Sequence, residues 1–431
     1  MISADDQALI ARDPMLVGLS MLFDEERMRE RLARTLPGLT VGTVRAHYLR
    51  YKPATSCLVA YRVEIDGAVV AMHALTWHGQ DESRFRKADS RTLASGPLGP
   101  GLWRWHDVPA LVWAFPNDLD LRALHLLATE AGRGELLAEL AREQPALRTG
   151  AINPLAYKPG RRFAGQLLGT SGAQAVLKIY SRSAYASRTA TEGRLVSARG
   201  LRLPQLLGRS ERHRAVLLEW LTGVMLDDLL GGTTVPTSAL ERTGAALAEL
   251  HAQSSVALPE RPADNDGKDL PALAVTLALL VPERAAGTAK LARQLQRRLA
   301  ERTDGAPIHG DLHARQIIVD GASIGLLDLD RAARGARAED LGNLLGDIER
   351  DEVLGRIPVG RTDEIAAALL AGYRLGGGVQ PSATDLALER AAALLRLAMQ
   401  PFRERERDWR AQIERMLDRV EAVAGAIGVG V

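Results

Sequence analysis

One segment, residues 309–330, restricts the fold of this chain more than any other stretch of its sequence. Two short apolar runs, residues 317–319 and residues 324–327, flank the turn-forming dipeptide Asp320-Gly321. Apolar runs of this length on either side of Asp-Gly are typical of a β-hairpin with a tight turn. The segment is therefore predicted to fold as a small antiparallel hairpin, whose two ends lie side by side.

Polar side chains stand at the open end of this predicted hairpin. Gln316 precedes the first strand and Asp328 follows the second, so their side chains are expected to meet. An amide oxygen beside a carboxylate provides hard oxygen ligands suited to Mg²⁺. Asp311 lies just upstream, on a loop expected near the same end, where its carboxylate could accept a proton from a substrate hydroxyl. The pattern thus predicts a metal site next to a proton acceptor.

The spacing of these residues is that of a phosphotransfer template. His309-x-Asp311 followed by Gln316 has the layout of the kinase catalytic loop, His-x-Asp-x-x-x-x-Asn, with Gln in the place of Asn. Asp328 then stands where the metal-binding Asp of the Asp-Phe-Gly element stands. The short pattern alone is common by chance, but the hairpin and the second Asp make it specific. The alternative interpretation is a buried polar loop held by a structural Asp–His contact.

In its His-Gly-Asp-Leu-His form, at residues 309–313, the segment resembles the aminoglycoside phosphotransferase and choline-kinase-like family. Gln316 makes it similar to the maltokinase-like sugar kinases. The resemblance implies a bilobal α+β fold like that of protein kinases, and phosphorylation of small-molecule hydroxyls with ATP and Mg²⁺ as cofactors. It also implies that Asp311 is catalytic, orienting and deprotonating the acceptor hydroxyl, and that Gln316 and Asp328 bind the metal.

Composition argues against several other classes of protein. Lys and Arg total 55 against 53 Asp and Glu, a formal charge of +2, which argues against a dedicated nucleic-acid-binding protein. Cys57 is the only cysteine, so no intrachain disulfide is possible and a reducing cytoplasm is expected. The N-terminus lacks the pattern of a signal peptide, and the longest apolar run, residues 270–281, is too short to span a bilayer. We therefore expect no nucleic-acid or membrane partner.

Strand-like patterns occur twice in the first half of the chain, and the second set begins after a helical stretch that Pro145 ends. Leu-Ala-Tyr-Lys-Pro at residues 155–159 echoes Leu-Arg-Tyr-Lys-Pro at residues 49–53. The strands are predicted at residues 44–51, 58–64 and 68–76 in the first set, and at residues 165–169, 175–180 and 215–218 in the second.

Aligning the two sets on their turn glycines, Gly67 and Gly172, places Lys178 opposite His73. We infer an internal duplication of a unit that resembles the N-terminal lobe of a kinase. Two unrelated antiparallel meanders of similar length are the alternative. The chain is predicted to divide into residues 1–148, a degenerate N-lobe-like domain, residues 149–222, the N-lobe and hinge, and residues 223–431, a mostly helical C-lobe.

The difference between the two copies carries information about function. A kinase N-lobe needs a strand lysine that holds the nucleotide phosphates and a helix glutamate that holds the lysine. Lys178 and Glu192, the latter in a predicted helix over residues 184–199, satisfy this requirement. His73 and Lys87 stand at the matching positions of the first copy and cannot form such a pair. The first copy is therefore expected to contribute to the shape of the protein, to substrate access or to contacts in a homo-oligomer.

Two further segments are predicted to bind the nucleotide. In the family, the loop that corresponds to residues 157–162 lies over the phosphates, which assigns Lys158 and Arg161, with Gly160 at the turn, to anion binding. A surface turn with solvated charges is the alternative. The resemblance also places a hinge between the lobes, where the carbonyl of Glu219 and the amide of Leu221 would take the adenine edge.

The acceptor is predicted only as a small polar molecule with a hydroxyl group. A sugar or amino sugar comes first because of Gln316, an aminoglycoside (and hence antibiotic resistance) second, and a choline-like alcohol third. The acidic run at residues 347–352 could attract a cationic amino sugar, or it could be a solvated helix face. Two other hypotheses stay open: a nucleotide-binding pseudokinase in which Gln316 disables the metal site, and a kinase that acts on a protein or peptide.

Overall fold

The structure is a computed structural model that describes residues 2–79, 82–89, 92–191, 193–254, 257–261, 269–302 and 304–430. Its strands are β1 (Val41–Lys52), β2 (Ser56–Ile65), β3 (Ala68–Trp77), β4 (Leu102–Trp105), β5 (Ala110–Ala114), β6 (Ala151–Lys158), β7 (Arg162–Leu168), β8 (Gln174–Tyr180), β9 (Leu201–Arg202), β10 (Leu206–Ser210), β11 (Ala215–Glu219), β12 (Val224–Met225), β13 (Ala306–Ile308), β14 (Ile317–Asp320), β15 (Ser323–Leu326) and β16 (Ala333–Gly335).

Its α-helices are α1 (Ala4–Arg12), α2 (Leu19–Phe23), α3 (Glu25–Thr35), α4 (Glu82–Asp89), α5 (Glu130–Leu140), α6 (Arg182–Thr191), α7 (Leu226–Leu230), α8 (Thr237–His251), α9 (Leu270–Leu280), α10 (Ala285–Ala300), α11 (Arg337–Val353), α12 (Arg361–Leu375), α13 (Ala383–Leu397), α14 (Gln400–Arg403) and α15 (Trp409–Gly425). Among the described residues, none of these helices combines the length and the apolar character that a membrane crossing requires.

The chain divides into two compact units, and each is built from more than one segment. The predicted division into three domains stays a prediction, because the first unit contains both predicted strand sets. The first unit comprises Met1–Tyr185, Leu206–Glu219 and Gln400–Arg410, and the second comprises Ala186–Gln205, Trp220–Met399 and Ala411–Val431.

The first unit contains two five-stranded sheets with the same strand order. The first sheet runs β1-β2-β3-β5-β4 and the second runs β6-β7-β8-β11-β10. Neighbouring strands are antiparallel in both sheets. Both strand sets that the sequence predicts are therefore confirmed, and they have one topology.

Local features repeat with the same spacing as the sheets. The β2–β3 turn contains Asp66 and Gly67 at φ 49° and 79°, and the β7–β8 turn contains Ser171 and Gly172 at φ 56° and 76°. The glycine tolerates this left-handed conformation because it has no Cβ. The helices before the two sheets repeat as well, since α3 begins at residue 25 and α5 at residue 130. Both spacings are 105 residues, from 67 to 172 and from 25 to 130. The similarity between the two halves of the first unit thus includes the helices before the sheets, whereas the sequence indicates it only in the strands.

The second sheet of the first unit is covered on one face by the helix that precedes it. Leu177 and Ile179 of β8 are fully buried, and Leu137 of α5 belongs to the same apolar cluster. Burying a side chain of this size contributes about 1.5–3 kcal/mol. Because neighbours in a strand point to opposite faces, Lys178 lies on the face opposite this cluster.

The second unit is mostly helical and contains the predicted hairpin. Strands β14 and β15 pair from Ile317 opposite Leu326 to Asp320 opposite Ser323, in a small sheet of order β12-β14-β15-β9. The hairpin prediction is confirmed, with Gly321 in the turn at φ 54°. An apolar cluster that includes buried residues from α8, α11 and α12 packs against it, and it contains Ile317, Ile324 and Leu326.

One predicted helix is wrong in length. The sequence predicts a helix over residues 184–199, but α6 ends at Thr191. Gly193 follows at φ 68°, and a left-handed glycine is a common helix terminator. Glu192 lies outside the residues that the structure describes.

Candidate active site

A buried carboxylate fixes the backbone of the predicted catalytic loop. Asp340, fully buried in α11, accepts hydrogen bonds from the amides of His309 at 2.7 Å and Gly310 at 2.8 Å. The ring of His251 lies 3.1 Å from the same carboxylate. Burial opposes ionisation of Asp340, but the bond to His251 and the neighbouring charges lower its pKa below the usual range. The backbone of the loop is therefore held by a charged group that is itself fully enclosed.

Asp311 follows the two clamped amides directly. Its side chain is 43% exposed, and Arg331 Nε lies 4.0 Å from its carboxylate. A carboxylate on a fixed backbone, with an accessible side chain, can approach the hydroxyl of a small molecule without a large loss of conformational freedom. The site can therefore position a hydroxyl next to a proton acceptor, and the catalytic role of Asp311 stays a prediction.

The two predicted metal ligands lie at the same end of the hairpin. Gln316 ends the turn before β14, and its carbonyl accepts a hydrogen bond from the amide of Leu327 at 2.8 Å. Asp328 follows Leu327 and has a left-handed backbone, with φ 65° and ψ 48°. The expectation that the hairpin would bring these two positions together is confirmed at the level of the backbone, and metal binding stays a prediction.

The donor atoms fit a magnesium ion that is shared with substrate phosphates. The side-chain oxygen of Gln316 accepts a hydrogen bond from the amide of His313 at 3.2 Å, and a carbonyl oxygen has a second lone pair. No group of three or more His, Cys, Asp or Glu residues suited to a metal occurs among the described residues. Mg²⁺ in phosphoryl-transfer sites typically uses one or two carboxylates plus phosphate oxygens, so Asp328 and Gln316 are a sufficient protein contribution.

A second acidic group supports the catalytic loop from α11. Asp347 is 4% exposed, and its carboxylate accepts a hydrogen bond from the amide of Ala314 at 3.4 Å. His313 lies beside it, and burial lowers the pKa of this histidine to about 4, with Asp347 acting in the opposite direction. The ring of His313 is therefore neutral near pH 7. Sequence reasoning did not assign this supporting role to Asp347.

Carboxylates of the acidic run at residues 347–352 form ion pairs inside the second unit. Asp347 pairs with Arg350, and Glu349, 1% exposed, pairs with Arg390 at 2.8 Å. Both interpretations from sequence, an attractive patch for a cationic acceptor and a solvated helix face, are wrong at these positions. The reason is that α13 packs on α11 and encloses the carboxylates with their arginine partners.

Lys178 lies at the centre of the second sheet of the first unit. It pairs with Ala164 of β7 and Val216 of β11, and it is half-buried on the face that α5 leaves uncovered. This placement suits a lysine that holds an anionic ligand. Because Glu192 lies outside the described residues, the ion pair between the two stays a prediction.

The predicted hinge falls at the boundary between the two units along the chain. Glu219 ends both β11 and its segment of the first unit, and Trp220 opens a segment of the second. Leu221 is 6% exposed, and a Cβ added to Gly325 would lie only 2.9 Å from its side chain. This close packing fixes Leu221 on β15. The adenine contacts of Glu219 and Leu221 stay predictions.

Hydrogen bonds hold the loop over residues 157–162 in place. Asp118 accepts hydrogen bonds from the hydroxyl of Tyr157 at 2.7 Å and from the amide of Gly160 at 2.9 Å. The amide of Arg161 donates to the carbonyl of Lys158 at 3.0 Å. The backbone amides of Gly160 and Arg161 are therefore already bound. The side chains of Lys158 and Arg161 are exposed, and their assignment to anion binding stays a prediction.

Sequence reasoning missed Asp118, although a signal for it existed. In the first copy, Asp13 accepts hydrogen bonds from the hydroxyl of Tyr51 at 2.6 Å and from the amide of Ala54 at 2.9 Å. Asp118 stands 105 residues after Asp13, the same offset that relates the two sheets. Applying that offset upstream of the strands would have identified Asp118 as the anchor of the second loop.

The sequence matches one family model. The model of the phosphotransferase enzyme family, APH, covers residues 157–394, which is more than half of the chain. The match includes Lys178, the hinge, the catalytic loop and the hairpin. No significant match was found among curated proteins.

Several solved structures of kinases are similar to this chain. A choline/ethanolamine kinase family protein from Mesorhizobium loti is 16% identical over 67% of this chain and 94% of its own, with a TM-score of 0.45. A choline kinase from Cryptosporidium parvum is 9% identical over 70% of this chain and 97% of its own, with a TM-score of 0.46. A macrolide 2'-phosphotransferase from Brachybacterium faecium is 20% identical over 66% of this chain and 97% of its own, with a TM-score of 0.41. At these identities and TM-scores we draw no conclusion about function from the individual structures.

Proposed function

Because this chain belongs to the phosphotransferase enzyme family, we propose that it is a kinase that uses ATP and Mg²⁺ to phosphorylate a hydroxyl of a sugar or amino sugar. The family supplies the reaction class, a phosphoryl transfer to an alcohol group. The cofactors, the acceptor and the residue roles below are our proposal. We further propose that the protein works in the cytoplasm, without a nucleic-acid or membrane partner, and that it could form a homo-oligomer.

The observation that carries the proposal is the arrangement around Asp311. A buried carboxylate, Asp340, fixes the two amides just before it, while the side chain of Asp311 stays accessible. This combination favours a catalytic group over a structural one, because a structural carboxylate is normally enclosed by its partners, as Asp340 is. In the proposed reaction Asp311 orients the acceptor hydroxyl and takes its proton as the oxygen attacks the γ-phosphate of ATP.

The remaining residues position and neutralise the nucleotide. Gln316 and Asp328 would hold Mg²⁺, which neutralises phosphate charge when it is bound. Lys178, with Glu192 as its proposed partner, holds the phosphates from β8. Glu219 and Leu221 take the adenine edge through their backbones. Lys158 and Arg161 add positive charge from the neighbouring loop.

A sugar or amino sugar is the preferred acceptor because Gln316 resembles the sugar-kinase variant of the catalytic loop. The enclosure of Asp347 and Glu349 in ion pairs removes one argument for a strongly cationic acceptor. An aminoglycoside is therefore the second choice, and a choline-like alcohol the third.

The experiment is ATP turnover with Mg²⁺ across sugars, amino sugars, aminoglycosides and amino alcohols, with an Asp311→Asn variant alongside the wild type. Loss of a positioned general base lowers turnover by about 10²–10⁴-fold. Asp320→Asn is a matched control, because Asp320 is a half-exposed carboxylate in the turn of the same hairpin. Turnover that depends on an acceptor and survives in Asp311→Asn would refute the assigned role.

A nucleotide-binding pseudokinase is the second candidate. It is favoured by the hydrogen bond that the side chain of Gln316 accepts from His313, because this bond engages the oxygen that would bind the metal. A Gln316→Asn variant separates the two. Activity that is unchanged or altered by less than about 10-fold supports the kinase, since the amide ligand is retained. Activity that appears only in the variant supports the pseudokinase.

A further inference from the structure

Three arginines of the first unit come from three different elements that lie close to one another. Arg50 lies in β1, Arg161 in the turn between β6 and β7, and Arg403 at the end of α14. Arg50 and Arg403 lie outside residues 157–394, the part that matches the family. Any site that these residues form is therefore a property of this chain and is not carried over from the family.

The guanidinium of Arg50 lies against the β6–β7 turn. A Cβ added to Gly160 would be 3.2 Å from Arg50 Nη2, so the side chain covers the glycine directly. The turn itself cannot shift freely, because Asp118 holds the amide of Gly160. Arg161, the next residue, is exposed on the fixed turn.

The charges of the three arginines act on one another. Burial lowers the pKa of Arg50, and the charge of Arg161 lowers it further, against a smaller opposing effect of Asp120 and Asp118. Burial also lowers the pKa of Arg403, where Tyr48 opposes and Arg161 adds to the shift. The charge of Arg161 thus acts on both half-buried arginines, and α14, which carries Arg403, packs on β1, which carries Arg50.

The neighbouring carboxylates do not neutralise this cluster by contact. Asp118 is fully engaged, because its two oxygens accept hydrogen bonds from four donors. Asp120 Oδ2 lies 3.7 Å from the position of a Cβ on Gly160, but among the ion pairs of the described residues none joins it to Arg50.

Within the described part of the chain, none of the three arginines has a side-chain hydrogen bond or an ion pair. Arg405, two residues beyond Arg403, behaves differently and binds the carboxylate of Asp6 at 2.8 Å. Partly burying a charge without a partner is costly, so a cluster of this kind is normally balanced by an anion.

We propose that Arg50, Arg161 and Arg403 form a binding site for a phosphate-bearing small molecule. The planar guanidinium group binds phosphate oxygens through paired hydrogen bonds, which a phosphate can accept from several arginines at once. Arg50 and Arg403 are half-buried and Arg161 is exposed, so their guanidinium groups are open to a small ligand from solvent. Two sources share this chemistry, the polyphosphate of ATP and a separate phosphorylated small molecule.

The test is calorimetric binding at one fixed ionic strength, with inorganic tripolyphosphate, ATP and adenosine as probes. Arg50→Gln and Arg403→Gln remove the charge and keep most of the side chain. Each is expected to weaken tripolyphosphate binding by about 10-fold or more, the effect of losing a charge-assisted hydrogen bond. Arg142→Gln is the matched control, since Arg142 is an exposed arginine of the same unit.

The pattern across the probes identifies the source of the phosphate. Parallel weakening of ATP and tripolyphosphate, with adenosine unchanged, assigns the site to the nucleotide. Weakening of tripolyphosphate alone assigns it to a separate phosphorylated ligand. Equal tripolyphosphate affinity in the wild type and both Gln variants, or no binding to the wild type, overturns the proposal.

The binding test is independent of the proposed kinase activity. Binding is measured without an acceptor. A lack of turnover would therefore contradict the kinase proposal and would not affect the phosphate-binding proposal. The two Gln variants change different elements, β1 and α14, and folding of each is checked by its urea unfolding midpoint. If one variant does not fold, the other gives the answer.

Discussion

The two sheets of the first unit share a strand order but differ at one matching position of the central strand. His73 of β3 is completely buried, stacked on Trp113 with 4.9 Å between ring centres and 9° between planes. Lys178 of β8, 105 residues later, is half-buried on a face that its helix leaves uncovered. The same backbone position is therefore completely enclosed in one sheet and only half-buried in the other.

This difference in burial determines which side chain each sheet can hold at that position. A buried position favours a neutral ring, and burial accordingly lowers the pKa of His73 to about 4 despite the opposing charge of Asp118. A half-buried position allows a charged ammonium to keep water or a partner beside it. The first sheet thus closes this position in its core, and the second leaves room for a charged side chain, as the proposed role of Lys178 requires.

The first prediction, with the largest expected effect, tests this comparison by replacing Lys178 and His73 one at a time. Lys178→Met is expected to lower kcat/KM by about 10²–10³-fold, because one electrostatic contact to the phosphates is lost. His73→Met should retain most of the activity, because the ring is fully buried and contacts Trp113 and Tyr157 inside the first unit. Steady-state kinetics on both variants measures this. Equal losses in the two would show that the sheets do not divide the roles in this way.

A second prediction concerns Asp118, which anchors the β6–β7 turn through Tyr157 and Gly160. Asp118→Asn replaces an acceptor of four hydrogen bonds by a group that presents donors to some of them, and the free energy of unfolding should fall by about 2–4 kcal/mol. Urea unfolding measures it. Asp66→Asn is the control, because Asn tolerates the left-handed turn and keeps an acceptor, and it should cost less than about 0.5 kcal/mol. A tolerated Asp118→Asn would contradict the anchoring role.

The third prediction uses pH. A histidine with a folded pKa of about 4 binds fewer protons in the folded state than in the unfolded chain, where its pKa is about 6.5. The free energy of unfolding therefore falls as pH drops from 6.5 toward 4, and His73 should account for about 2 kcal/mol of the loss between pH 7 and pH 5. Urea unfolding of the wild type and His73→Phe at both pH values checks this. An identical pH dependence in the two would mean that His73 is not buried as described.

The smallest expected effect tests the equivalence of the two turns. Gly67 and Gly172 have φ near 80°, and no atom would lie within 4 Å of an added Cβ at either position. Gly67→Ala and Gly172→Ala should therefore each cost about 1 kcal/mol, from backbone conformation alone. Thermal unfolding of both variants measures the difference. Clearly unequal costs would show that the two hairpins do not share one geometry.

The sequence predicted the hairpin, both strand sets and the register between the copies because these depend on local patterns. Alternation of apolar residues, Asp-Gly turns and the repeated Tyr-Lys-Pro need no knowledge of distant residues. The helix over residues 184–199 was predicted too long, because the terminating effect of Gly193 was not considered. The acidic run of α11 was misjudged because Glu349 is enclosed by a partner 41 residues away, Arg390 of α13.

The sequence by itself determined the family, the hairpin that brings Gln316 and Asp328 to one end, and the spacing that places Asp311 before them. Only the tertiary structure decided which charged groups are enclosed. It placed Asp340 behind the catalytic loop, Asp118 under the β6–β7 turn, and Arg50 against that turn. The physical reason is that local patterns fix the direction of a side chain relative to its own strand or helix. Whether that side chain meets water, a partner or a second element depends on segments far away in sequence.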